Sequence, residues 1–92
     1  MRTLICGIPF EIIMREPNMR SDANMGRCDS KMAKITIDRT MPEPVRDATL
    51  VHEWMHSVYD LNGIEHSEVQ IGIMATELYR NGFRVKVEED QS

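Results

Sequence analysis

Over the first forty positions, short apolar runs are broken by turn-forming residues. Residues 3–6 and 10–14 are β-like runs on either side of Gly7-Ile8-Pro9, a turn-prone triplet suited to a hairpin. Residues 34–38 (KITID) set Ile35 and Ile37 against Lys34, Thr36 and Asp38, the period of two that marks a half-buried strand. With residues 27–29 and the linking Ser30-Lys31-Met32-Ala33 they make a second hairpin. One polar and one apolar face place KITID at or near a sheet edge. The intervening stretch 16–26 (EPNMRSDANMG), rich in Pro, Asn, Asp, Ser and Gly, reads as a loop.

After Met41-Pro42-Glu43-Pro44 the pattern becomes helical. Thr40 is a candidate cap and the prolines suit a first turn, so a helix starts between Pro42 and Val45 and runs to about Leu61, where Asn62-Gly63 stops it. Its apolar residues occupy several faces, as in a buried helix. A second helix fits 67–80, stopped by Asn81-Gly82. The alternating FRVKV that follows suits a short returning strand, and the acidic tail 88–92 is expected to fray. The chain is therefore expected to be one domain over 1–92. Residues 1–39 are its β-rich part, 42–61 its first helix, 67–80 its second and 88–92 a tail. The fold class is α+β: N-terminal hairpins forming a small antiparallel sheet packed on two helices.

Ninety-two residues bury little surface, so a bound metal would be a useful support. An apolar fraction of 41% and a charged fraction of 28% are those of an ordinary globule. The net charge of −4, with both signs interspersed, offers no footprint for nucleic acid or an anionic membrane. No apolar run approaches the ~20 residues of a transmembrane helix. Gly7, Pro9 and Glu11 interrupt the only stretch that resembles a leader, so a cytoplasmic location is the expectation. Cys6 and Cys28 form no Cys-x-x-Cys pair, which argues against a thiolate zinc site and for two buried free thiols. Eight methionines read as core filler, with only Met55 and Met74 placed to line a pocket.

The chemistry is concentrated in Leu50-Val51-His52-Glu53-Trp54-Met55-His56. Residues i and i+4 of a helix stack on one face, so His52 and His56 can ligate a single ion through imidazole nitrogens. Glu53 then lies beside the ion as a general base for water, the His-Glu-x-x-His arrangement of zinc hydrolases. The chain has three histidines, and two of them flank this glutamate inside a helix inferred on other grounds.

Catalytic zinc takes three protein ligands and keeps one position open. Glu65, His66 and Glu68 are the nearer candidates for the third, Asp60 and Glu77 the more distant. A metzincin would need histidine where Asn62 stands. Glu68 leads because Gly72, Ala75 and Tyr79 share its helical face, and small residues there would admit close approach to the first helix. His66 is the second candidate, as ligand or as donor to a developing oxyanion. Tyr59 and Tyr79 are read as packing residues.

The segments LVHEWMHSVYDLNG and SEVQIGIMATELYRNGF resemble the small phage-encoded ImmA/IrrE-like metallopeptidases, gluzincin-type zincins. The resemblance spans about residues 34–82. It implies His52 and His56 as ligands, Glu53 as general base, Glu68 as third ligand and one Zn²⁺ as cofactor. It also implies a protein substrate, typically a transcriptional repressor, inside a bacterial host cell. Members often carry a second acid early in the second helix, where this chain has Gln70 and Gly72.

The leading expectation is a zinc metallo-endopeptidase acting on a protein or peptide laid along a strand edge such as 34–38. The alternative is a zinc-binding regulatory or interaction module without turnover, in which His66 and Glu68 together would close the coordination sphere. A small-amide hydrolase would need an enclosed pocket that this length hardly provides.

Overall fold

The computed structural model describes residues 1–16 and 26–89. Strands β1 (Arg2–Ile5), β2 (Ile8–Arg15), β3 (Gly26–Asp29) and β4 (Lys34–Asp38) precede helices α1 (Glu43–Leu61) and α2 (Glu68–Arg80). The fold is α+β, strands first. The interior of the loop expected over 16–26 and the last three residues of the tail lie outside the described residues.

Both hairpins form. In the first, Cys6 and Gly7 make the turn with φ of 52° and 78°, and Ile5 pairs with Ile8. Two positive φ values are what a two-residue turn between right-twisted strands requires, so the turn falls one residue earlier than Gly7-Ile8-Pro9. Pro9 is thus inside β2. It is tolerated because β4 covers only Glu11 to Arg15 of that strand, leaving Pro9 with β1 as its one neighbour. Cys6, at the turn, is exposed rather than buried.

The sheet is mixed, not antiparallel. Its order is β1-β2-β4-β3, with β2 and β4 parallel and the two hairpins antiparallel. The physical reason lies in side chains. Ile35 and Ile37 of β4 are fully buried, whereas β3 (GRCD) offers no large apolar residue. The better hydrophobic strand takes the interior and the weaker one the edge. KITID is therefore not an edge strand, because alternation reports which face is wet, while edges lie along the perpendicular hydrogen-bonding direction.

Ile5, Phe10, Ile12, Ile35 and Ile37 form one core, with Leu50, Trp54 and Val58 of α1 packed on it. A second core, Val51, Met55, Ile71 and Ala75, joins α1 to α2. The layers run sheet, α1, α2, so α1 is covered on two sides and carries apolar residues around most of its girth. Each fully buried isoleucine or phenylalanine contributes about 1.5–3 kcal/mol. Among the described residues no helix is long and apolar enough to cross a membrane.

Pro42 precedes α1 without a side-chain cap. Thr40 does not cap it: its N–H and Oγ1 both donate to Asp38 Oδ1, at 2.8 and 2.6 Å. Helix α2 opens with a capping box, in which Gln70 N–H donates to Ser67 Oγ at 3.0 Å and Ser67 N–H to Gln70 Oε1 at 3.3 Å. Asn62 and Asn81 are the C-caps, followed by Gly63 and Gly82 at positive φ. FRVKV adds no strand of its own. Within it Lys86 O accepts from Thr3 Oγ1 at 2.6 Å, and just beyond it Glu88 makes a single antiparallel bridge to Arg2.

Candidate metal centre

Helix α1 brings His52 and His56 together by its own periodicity, their Nε2 atoms 3.1 Å apart. Glu68 arrives from α2, as the first residue after the Ser67 cap. Its Oε2 lies 3.0 Å from His52 Nε2 and its Oε1 2.8 Å from His56 Nε2. One ligand atom from each of the three residues fits within a span of 4.8 Å. In a tetrahedral zinc site with bonds of 2.0–2.1 Å, neighbouring donor atoms stand about 3.3 Å apart. The two imidazole nitrogens stand close to that spacing, each has a different oxygen of Glu68 within 3.0 Å, and two imidazoles with one carboxylate are donors that zinc accepts.

Glu68 reaches the histidines because α2 is pinned to α1 by Ile71 and Ala75, both buried. Gly72 contributes less than its place on the helical face implies. A Cβ built there would meet only His52 Cε1, at 4.0 Å, which is ordinary contact. The tight approach is elsewhere. A Cβ on Gly26, at the start of β3, would fall 2.6 Å from Thr49 Cγ2 and 3.1 Å from Glu53 Cγ. Glycine at that position lets the edge strand lie flat against the helix beside Glu53.

The Glu53 side chain is nearly buried, at 8% exposure. Burial raises its pKa, and the Glu68 carboxylate adds to the rise. His52 and a hydrogen bond from the Cys28 thiol pull partly the other way. Cys28 is itself shifted up by burial, so its thiol keeps its proton and stays a donor. Burial lowers the pKa of His56, assisted by its histidine neighbours and opposed by Glu68. Desolvation is the largest single effect on Glu68 and pushes it up, but hydrogen bonds and charge from His52 and His56 together outweigh it and hold the group below the usual carboxylate value. The site thus favours a neutral imidazole and an ionised carboxylate, the protonation states a metal needs.

The other third-ligand candidates do not join this group. His66 stands behind His56, with its Nε2 2.7 Å from His56 Nδ1, the nitrogen facing away from Glu68. Asp60 is 3.8 Å from His66 Nε2 and accepts from Ser30 Oγ at 3.1 Å. Glu65 is exposed in the turn before α2, and Glu77 pairs with Arg80 at 3.4 Å. Tyr59 packs its ring near His66, and Tyr79 lies under Arg84. Met55 is core, while Met74 lines a surface groove beside Ile73 and His66.

A cleft of about 810 Å³ runs from His52, Glu53 and Glu68 along Pro44, Val45 and Ala48 of α1, with Thr76 and Tyr79 of α2 opposite and Gly26 at its rim. Length alone argues for a shallow groove, and the room comes from the gap between the N-terminal half of α1 and α2. Two residues of the site carry no signal in the sequence: Cys28, which lowers the pKa of Glu53, and Gly26, which reads simply as the end of a loop. Compared with protein-family models, with curated proteins and with solved structures, the chain gives no match.

Proposed function

We propose that the protein is a zinc-dependent endopeptidase. The observation that carries this reading is the convergence of His52 Nε2, His56 Nε2 and the Glu68 carboxylate, with the buried carboxyl of Glu53 alongside, at one end of an open cleft. His52, His56 and Glu68 would hold the ion, which when bound supplies a Lewis acid and lowers the pKa of water to about 7. Glu53 takes a proton from the attacking water and returns it to the departing amine. Its raised pKa suits both halves of that transfer. The close-packed Gly26 brings β3 against the Glu53 side chain.

Among the described residues β3 is an edge strand of the sheet with Gly26 lining this cleft, and main-chain pairing of an extended peptide there would give sequence-tolerant binding. The edge at β4 considered from the sequence is occupied by β2 and β3. His66 lies behind His56 and not beside Glu68, which supports an open fourth position over a closed structural site. The resemblance to ImmA/IrrE-like peptidases adds a repressor-type protein as the substrate to try first.

The test is zinc-loaded protein incubated with unfolded protein or peptide substrates and analysed by mass spectrometry, beside Glu53→Gln. Cleavage is expected in the parent and a loss of roughly 10²–10⁴-fold in the variant, with zinc content unchanged. Equal cleavage by both would sink the proposed mechanism. Zinc uptake without cleavage of any substrate would favour the regulatory-module reading.

A further inference from the structure

We infer that His66 is a positioning residue, fixing the tautomer of His56 that turns its Nε2 lone pair toward the cation; this rests on the metal-site reading above. The argument begins at a backbone oxygen. His66 Nδ1 lies 3.1 Å from Ile64 O. A carbonyl only accepts, so Nδ1 carries the hydrogen, and in the neutral ring Nε2 is then the acceptor. That acceptor stands 2.7 Å from His56 Nδ1. The shared hydrogen belongs to His56, and His56 Nε2 is left bare. It is this nitrogen that faces Glu68 Oε1 at 2.8 Å and His52 Nε2 at 3.1 Å.

The relay is thus Ile64 carbonyl, His66, His56, ion. Metal-bound histidines commonly donate their second N–H to a carboxylate, a carbonyl or water, and that partner sets ring orientation and basicity. Here an imidazole holds the place. It is well sheltered, with the side chain of His66 at 13% exposure and that of His56 at 12%. The rings of His66 and His56 pack with centroids 4.8 Å apart, and Tyr59 covers His66 at 5.4 Å. Asp60 Oδ1, at 3.8 Å from His66 Nε2, is beyond hydrogen-bond reach. Its other oxygen is engaged by Ser30. His66 also has a fixed origin. It lies two residues before the N-terminal residue of α2, so the turn that delivers Glu68 to one side of His56 delivers His66 to the other.

The inference separates His66 from a ligand, which would add to the coordination count, and from a mere packing residue, which would not affect His56 electronically. The test measures zinc affinity by competition with a chromophoric chelator, in the parent, His66→Ala and His66→Gln. A ¹⁵N-labelled, zinc-loaded sample is examined in parallel for a scalar coupling across the hydrogen bond between His56 Nδ1 and His66 Nε2.

We expect one equivalent of zinc in all three proteins. Affinity should fall 10–100-fold in His66→Ala and largely return in His66→Gln, whose amide oxygen can accept from His56. The coupling should be present in the parent. The glutamine variant and the coupling keep the test decisive should the alanine variant fold poorly. Unchanged affinity in a folded His66→Ala, or a hydrogen on His66 Nε2 in the loaded parent, overturns the inference alone. Loss of the bound equivalent in His66→Ala with retention in Glu68→Ala would make His66 a ligand and also overturn it. A parent that takes up no zinc overturns the metal-site reading itself, a result distinct from each of these.

Discussion

Glu53, Gly26 and Gly72 show how single residues set the energetics around the site. The carboxyl of Glu53 is buried, and its pKa is raised chiefly for that reason. The unfolded chain therefore gives up this proton at lower pH than the folded one. The resulting stability is present below the ordinary carboxylate pKa of about 4 and is lost as pH rises through the higher folded value. Metal-free Glu53→Gln is expected to melt above the parent at pH 7, by roughly 4–8 °C for each kcal/mol relieved, with the gap closing below about pH 4. Calorimetry at the two pH values checks this; a lower Tm at pH 7 would contradict it. For the glycines, Gly26→Ala meets Thr49 at 2.6 Å and should cost about 1–3 kcal/mol. Gly72→Ala meets nothing tighter than 4.0 Å and should stabilise α2 by about 0.5–1 kcal/mol. Denaturant midpoints of the two variants should shift in opposite directions. From sequence alone the emphasis falls the other way, because a helical stripe makes Gly72 conspicuous and a loop-like context hides Gly26.

Among the elements, the helices were the most legible. Pro44 near the start of α1 and the two Asn-Gly stops are local signals, and local chemistry decides where a helix begins and ends. The His-Glu-x-x-His pairing was legible for the same reason, since helical periodicity alone carries His52 to His56. Gln70 has a structural role as the third residue of α2, which closes the capping box with Ser67. That cap also sets the position of Glu68, its immediate neighbour. Ser67→Ala should cost about 1 kcal/mol of stability and weaken zinc binding, whereas Ser67→Asp should restore both. Chelator competition on the two variants would reveal a cap unrelated to the site if zinc affinity stayed constant.

At the scale of the whole molecule, the sequence foretold an α+β fold of strands followed by helices but not how the hairpins meet. Pairing within a hairpin is fixed by a short turn. The parallel contact of β2 with β4 joins strands separated by a long segment, and nothing local encodes it. The outcome matters for the proposed activity, because among the described residues it puts β3 at the sheet edge beside Glu53 and KITID in the sheet interior. Three layers then place α1 between two cores, fixing the histidines on a helix held from both sides while α2 supplies Glu68. The residue that joins His52 and His56 was the least determinate feature of the sequence, since Glu65, His66 and Glu68 lie within four residues of one another. Their separation depends on the turn into α2, where His66 falls behind His56 and Glu68 in front.

The most direct measurement is zinc stoichiometry by equilibrium dialysis, on the parent, His56→Ala and Glu68→Ala. The account predicts one tightly held ion in the parent and its loss or severe weakening in both variants, with circular dichroism showing all three folded. A parent that retains no zinc, or a Glu68→Ala protein that holds it as firmly as the parent, would contradict the three-residue centre.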